Sequence, residues 1–186
     1  ARIRGLEGGI STHTLKNSFQ YLLLAIDNPK LLLTHEEKLN NPRLVKLIEE
    51  FNFQRDHSKL EALRDIIEKY PDSKIVVWNS HPSVADELAV ALKEYYPIVL
   101  NGETPIPKGM DGDEFKESVV KHFQESKKNR ILIAGLQVLN TAVTIVESNV
   151  QIIYDCNFNF VEYSQALKRI HRIGQKRNVY TYAIVI

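Results

Sequence analysis

The chain has 186 residues, 44% of them hydrophobic and 25% charged, which is ordinary for a globular protein with one substantial core. Its 24 Lys and Arg residues nearly balance 23 Asp and Glu residues, and the net charge of +1 argues against a strongly basic, histone-like protein. The single cysteine, Cys156, excludes a disulfide framework, and no apolar run is typical of a leader or a membrane span. We therefore expect an intracellular protein.

The first 57 residues contain no predicted strand. Asn28-Pro29 predicts the end of one helix, because the residue before a proline disfavours the helical conformation. Asn41-Pro42 predicts the start of another, because proline suits the first helical position. We expect residues 1–57 to form a helical connector or appendage and residues 58–186 to form the main domain. The predicted helices of the connector span residues 15–26 and 42–53.

From residue 58 onward, short apolar strands alternate with amphipathic helices. Ser58 and Glu61 have the spacing of a capping box for the first of these helices. Trp78 ends an apolar strand and is expected in the core. The alternation predicts an α/β fold in three layers, with a mainly parallel sheet covered by helices on both faces. The predicted strands span residues 74–78, 98–100, 131–134, 150–154 and 179–186, and the predicted helices span residues 59–70, 82–95, 114–126 and 160–172.

No pattern in the sequence indicates a metal site. The six histidines do not form a metal-binding pair at helical spacing. The acidic run Asp111-Gly112-Asp113-Glu114 lacks the remaining oxygen ligands of a calcium loop. We interpret it as the beginning of a helix, where negative charge is favourable.

The basic stretch near the end of the sequence is its most informative segment. At helical spacing, Gln165, Arg169 and Arg172 share one face. Guanidinium groups on a rigid face suit a polyphosphate, because each offers a fork of donors and a permanent charge. A solvated basic face that pairs with acids elsewhere is an alternative that spacing alone leaves open. The apolar residues expected to pack this helix against the sheet are Ala166, Ile170 and Ile173.

The stretch Gln165-Ala-x-x-Arg169-x-His-Arg172-Ile-Gly-Gln resembles the sixth helicase motif of superfamily-two motors, in the form typical of the Swi/Snf family of DNA-dependent ATPases. Three further segments resemble family motifs in the same order along the chain. Residues 74–81 are similar to the fourth motif, and residues 101–105 to the family's Asp-Gly-Ser-Thr. Residues 154–160 are similar to its Tyr-Asp-x-x-Trp-Asn-Pro, with phenylalanines in place of the Trp and the Pro.

The resemblance covers about residues 15–186, since residues 22–32 also look like the family's connector between motor lobes. The fifth motif departs most from the family's Gly-Gly-x-Gly-Leu-Asn-Leu. Ala142 stands where a glycine is normal, and Thr144 stands where the asparagine is normal. Thr141-Ala142 is also similar to the Thr-Gly of other superfamily-two members. This departure from the fifth motif affects one property of the family, namely the coupling between DNA and ATP through this segment.

The resemblance implies a RecA-like lobe, namely the second motor lobe of an ATP-dependent translocase on double-stranded DNA. It implies that Arg172, supported by Arg169, acts as an arginine finger on ATP and that Gln165 helps to position the nucleotide site. It also implies contacts with the DNA backbone. The residues to which these DNA contacts are assigned are Ser80, Gly102, Thr141 and Asn159.

The sequence contains no Gly-x-x-x-x-Gly-Lys-Ser/Thr phosphate loop and no acidic motif of the Asp-Glu-x-His type after a strand. We therefore expect ATP and Mg²⁺ to be held mainly by a first RecA-like lobe of the same full-length protein, and this chain alone to be inactive. Two alternatives stay open. The chain could be a stand-alone nucleic-acid-binding or regulatory lobe, or it could belong to a restriction-type or RNA-directed helicase.

Overall fold

The computed structural model describes residues 21–35, 41–138, 143–155 and 160–185. The chain divides into two compact units, one that runs to Phe53 and one that starts at Gln54. The sequence-based boundary between residues 57 and 58 stays a prediction. In the described part of the chain, no helix has the length and apolar character needed to cross a membrane.

The first unit is helical where it is described. Residues 21–27 form a helix that ends before Asn28, as the Asn-Pro pair predicts. A 3₁₀ helix, Pro29–His35, follows it. Helix α1 spans Pro42–Glu50, and the side chain of Asn41 caps it by accepting the Leu44 N–H at 3.1 Å. This helix ends three residues earlier than the sequence predicts, and a separate short helix α2 spans Phe53–Asp56.

The second unit alternates helices and strands. Its helices are α3 Ser58–Lys69, α4 Pro82–Ala91, α5 Gly112–Glu125 and α6 Phe160–Leu167, with a 3₁₀ turn at Lys93–Tyr95. Its strands are β1 Lys74–Asn79, β2 Ile98–Leu100, β3 Ile131–Gly135, β4 Ser148–Ile153 and β5 Tyr180–Ala183.

The five strands form one sheet in the order β2-β3-β1-β4-β5, and every neighbouring pair is parallel. Strand β1 is central, so that Val77 lies between Ile133 of β3 and Ile152 of β4. The predicted α/β class and parallel sheet are confirmed. Because all strands run the same way, the loops that follow them meet at one edge of the sheet, which is where ligands bind in such folds.

The core lies against the sheet and is tied together by one buried polar network. Trp78 is fully buried, as expected, and its indole Nε1 donates to Gln151 Oε1 at 3.1 Å. The Nε2 of Gln151 donates in turn to Thr181 Oγ1 at 2.9 Å and to the Leu167 carbonyl at 3.3 Å. One buried carboxamide therefore joins β1, β4, β5 and the end of α6.

The predicted capping box and the predicted length of the last helix are wrong. Ser58 does not cap α3 in a capping box, because it is the first helical residue and His57 holds the cap position without a side-chain hydrogen bond. Helix α6 ends at Leu167 and does not continue to Arg172. At its end the N–H groups of Lys168 and Arg169 donate to the carbonyls three residues earlier, at 3.2 and 3.0 Å, so the helical ladder tightens into a turn. The Arg169 carbonyl accepts the Ile145 N–H at 3.0 Å.

Candidate functional site

A small cleft of about 130 Å³ lies beyond the carboxyl ends of the three strands β1, β2 and β3. It brings together Ser80 and Gly102, two residues that the sequence assigns to one site although they are far apart in the chain. The backbone of the loop after β3 forms its remaining wall. The lining residues are Asn79, Ser80, Pro82, Asn101, Gly102, Gly135, Leu136, Gln137 and Val138.

The turn after β2 is fixed by its own side chains. Asn101 is 7% exposed, and its Oδ1 accepts the Glu103 N–H at 2.9 Å and the Thr104 hydroxyl at 3.2 Å. The Thr104 Oγ1 also accepts the Asn101 N–H at 2.9 Å. Gly102 lies inside this turn, and a Cβ atom placed on it would meet no atom within 4 Å. The turn therefore presents an open, immobilised stretch of backbone to the cleft.

The turn after β1 is held from the neighbouring strand. The Ser80 N–H donates to Oδ2 of Asp155 at 3.0 Å, and Asp155 is 2% exposed at the end of β4. The Asn79 Nδ2 donates to the His81 carbonyl at 3.0 Å. In this conformation the Ser80 hydroxyl is buried and has no hydrogen-bond partner among the described residues. Rotation about its Cα–Cβ bond would be needed to turn the hydroxyl toward a ligand.

The two arginines assigned to the nucleotide site lie near each other after α6. Arg169 is 6% exposed, and burial, with a smaller contribution from the charge of Arg172, lowers the pKa of its guanidinium. Arg172 is exposed, and its Nη1 donates to Thr144 Oγ1 at 2.9 Å. Gln165 is exposed on α6. Since α6 ends at Leu167, these three side chains do not share one helical face, which corrects the sequence interpretation.

The apolar side of this motif is also only partly as expected. Ala166 and Ile170 are buried in the core, whereas Ile173 is completely exposed. Gly174 follows it with a φ of +106°, a left-handed conformation that glycine adopts without steric cost. This turn lies beyond the end of α6, between that helix and β5.

Sequence reasoning missed two glutamines that hold the segment leading into β4. Gln124 of α5 accepts the Val146 N–H at 3.0 Å and donates to the Thr144 carbonyl at 3.3 Å. Gln175 donates to the carbonyls of Val146 at 3.0 Å and Ser148 at 2.7 Å. Gln175 is the last residue of the sixth-motif pattern, which could have marked it. No local pattern distinguishes Gln124.

Two of the residues assigned to DNA, Thr141 and Asn159, lie outside the described residues. Ser80 and Gly102 share the cleft, while Arg169 and Arg172 lie beside the segment that leads into β4. No group of three or more His, Cys, Asp or Glu side chains within the described ranges could hold a metal ion.

Comparison with known proteins assigns the family. The helicase conserved C-terminal domain family matches residues 58–174, which is more than half of the chain. The ATP-dependent helicase fft1 of Schizosaccharomyces pombe is 22% identical over 85% of this chain and 17% of its own length. Transcription termination factor 2 of Drosophila melanogaster is 29% identical over 71% of this chain and 12% of its own length.

A solved structure shows the same fold. The SWI2/SNF2 ATPase core of Sulfolobus solfataricus in complex with dsDNA superposes with a TM-score of 0.68 at 18% identity, over 96% of this chain and 34% of that one. The chain spans less than a fifth of the length of both curated relatives. The resemblance drawn from the sequence motifs is confirmed, since a SWI2/SNF2 ATPase core is among the matching structures, and the chain belongs to the helicase conserved C-terminal domain family.

Proposed function

We propose that this chain is the second motor lobe of an ATP-dependent translocase that acts on double-stranded DNA inside the cell. In this proposal ATP and Mg²⁺ are held mainly by the first RecA-like lobe of the full-length protein. The present lobe completes the nucleotide site with arginines and contacts the DNA backbone with the loops at its sheet edge. The isolated lobe is then expected to be inactive as an ATPase.

The observation that carries the proposal is the pair of neighbouring guanidinium groups of Arg169 and Arg172. Arg169 is almost fully buried at the end of α6, and the nearby charge of Arg172 contributes to lowering its pKa. An anion placed between two like charges relieves their repulsion, and guanidinium groups match phosphate oxygens in geometry. In the proposed role Arg172 reaches the γ-phosphate and stabilises the charge of the transition state, with Arg169 and Gln165 supporting it.

The cleft at the carboxyl ends of the strands supports the proposed contacts with the DNA backbone. The Ser80 turn and the open Gly102 backbone lie in one depression, and both turns are fixed by hydrogen bonds. Backbone N–H groups and neutral side chains position a phosphate strand without reading its sequence. Contacts of Thr141 and Asn159 with the same DNA strand are assigned by resemblance alone.

The proposal is tested in the two-lobe protein with a matched pair of charge deletions. Arg172→Ala should lower the DNA-stimulated ATPase rate by about 10³-fold or more, because an arginine finger contributes on that scale. Lys176→Ala removes one exposed cation four residues later and should leave the rate within about two-fold, since exposed charges contribute little. Both variants should keep the wild-type affinity for DNA. Turnover of Arg172→Ala at the wild-type rate would overturn the assignment.

The same assay separates the proposed substrate from the alternatives. Stimulation by duplex DNA, by single strands and by RNA should be compared at one salt concentration, because phosphate contacts make every affinity salt-dependent. Stimulation by duplex DNA above the other two supports the translocase. Stimulation mainly by RNA would favour an RNA-directed helicase. If neither DNA nor RNA stimulates the ATPase rate and the isolated lobe binds duplex DNA tightly, the result would favour a stand-alone regulatory lobe.

A further inference from the structure

The segment between β3 and β4 is held against the sixth motif by side chains from two directions. From α5, the Gln124 carboxamide bonds both the Thr144 carbonyl and the Val146 N–H. From the sixth motif, the Gln175 carboxamide bonds the carbonyls of Val146 and Ser148. Residues 143–146 carry no helix or strand, so these side-chain bonds supply what regular secondary structure would otherwise provide.

This immobilised segment presents one hydroxyl to Arg172. Thr144 Oγ1 accepts from Arg172 Nη1 at 2.9 Å, and the Thr144 backbone is fixed by Gln124 on one side. On the other side, the Ile145 N–H donates to the Arg169 carbonyl at 3.0 Å, which ties the segment to the residue that precedes Arg172 by three positions. Arg172 is long and exposed, so each hydrogen bond to its guanidinium narrows the set of rotamers that its side chain samples.

We infer that Thr144 is a positioning residue that holds the Arg172 guanidinium in one orientation before nucleotide is bound. This inference rests on the proposed function for its catalytic consequence. An arginine that is already ordered loses less side-chain entropy when it reaches the transition state, which is the general advantage of preorganisation. Thr144 does not itself contact the nucleotide in this view, and Gln124 acts one step further away by fixing the Thr144 backbone.

The catalytic arm of the test uses a pair of substitutions in the two-lobe protein. Thr144→Val keeps the shape of the side chain and removes the hydroxyl, whereas Thr144→Ser keeps the hydroxyl and removes a methyl group. Thr144→Val should lower kcat by about 3- to 10-fold, the loss expected for one exposed hydrogen bond to a charged group, with KM for ATP nearly unchanged. Thr144→Ser should restore kcat to within about two-fold of wild type. An unchanged or raised kcat in Thr144→Val would overturn the inference.

A second arm uses the 186-residue chain without nucleotide, so that its result does not depend on the proposed function. NMR of the Arg172 guanidinium should show hindered rotation of the Nη groups in the wild type and in Thr144→Ser. Removal of the Thr144 hydroxyl in Thr144→Val should increase the rotational averaging of the same signals. Identical spectra for wild type and Thr144→Val would refute the positioning contact. Failure of Arg172→Ala to slow ATP hydrolysis would instead refute the arginine-finger proposal and leave the contact itself standing.

Discussion

Substitution of Gly102 by alanine separates ligand binding from folding at the carboxyl edge of the sheet. The added Cβ would meet no atom within 4 Å, and Gly102 is not among the glycines with a positive φ. The free energy of unfolding should therefore stay the same or rise by up to about 1 kcal/mol, because alanine restricts the unfolded chain. A DNA phosphate that approaches the Gly102 backbone would occupy the space of the new methyl group.

The expected functional loss follows from that steric conflict. A hydrogen bond from a backbone N–H to a charged phosphate contributes about 1.5–3 kcal/mol, so that its loss weakens DNA binding by roughly 10- to 150-fold. The assay is the DNA concentration that half-saturates the ATPase rate of the two-lobe protein, with kcat at saturating DNA as the internal reference. The stability of the same variant is followed by unfolding in denaturant.

Gly112 offers a matched control for this substitution. It begins α5 at the far end of the same loop, and its added Cβ would make only an ordinary contact, 3.5 Å from Ile106 Cδ1. Gly112→Ala should keep both stability and the half-saturating DNA concentration. The reasoning is refuted if Gly102→Ala binds DNA as tightly as wild type, or if Gly112→Ala weakens binding to the same extent.

Two further predictions concern stability and pH. Gln151→Leu should lower the free energy of unfolding by about 2–4 kcal/mol, since it leaves the buried Trp78 indole N–H without its acceptor; fluorescence of Trp78, the one tryptophan, reports the transition. The hydroxyls of Tyr70 and Tyr182 lie 2.5 Å apart, and this bond raises the pKa of Tyr70 to about 12 from an ordinary 10.0 while it lowers the pKa of Tyr182. The contribution of the neutral Tyr70 hydroxyl to the free energy of unfolding is thus complete below pH 10 and is lost as the pH rises from 10 to about 12. The lowered pKa of Tyr182 changes the free energy of unfolding in the opposite direction as the pH rises. Tyr182→Phe should return the Tyr70 pKa toward 10.0, measured by NMR titration of the tyrosine ring carbons, and an unshifted titration would contradict the hydrogen bond.

The strands and the parallel sheet could be predicted because their signal is local. Each buried strand is a short apolar run between turn residues, and a central parallel strand such as β1 must be apolar on both faces. The Asn41 cap could also be predicted from the sequence, since its side chain accepts a hydrogen bond from a backbone N–H three residues away. The end of α6 could not be predicted in this way. The chain just beyond it is bonded to a distant residue, since the Arg169 carbonyl accepts the N–H of Ile145 from 24 positions earlier in the sequence.

The candidate site shows the same division between local and distant signals. Ser80 and Gly102 could be placed at one edge because each lies within two residues of the carboxyl end of a strand in a parallel sheet. The carboxylate that holds the Ser80 turn is Asp155, 75 residues away, and the glutamine that fixes Thr144 is Gln124, 20 residues away. Such partners depend on the three-dimensional arrangement of the elements, which a periodic pattern does not specify.

Two described parts of the connection from β3 to β4 contact different parts of the candidate site. Leu136 and Val138 belong to the walls of the cleft, and Thr144 bonds Arg172 only a few residues later. Val143 and Ile145, on either side of Thr144, are buried in the same core as Trp78. A displacement of Thr144 must therefore move two packed side chains, which close-packed interiors resist. In the proposed motor, a signal between DNA and ATP that passes through Thr144 would therefore require residues 143–146 to shift together with Gln124 and Gln175, the two glutamines that hold them.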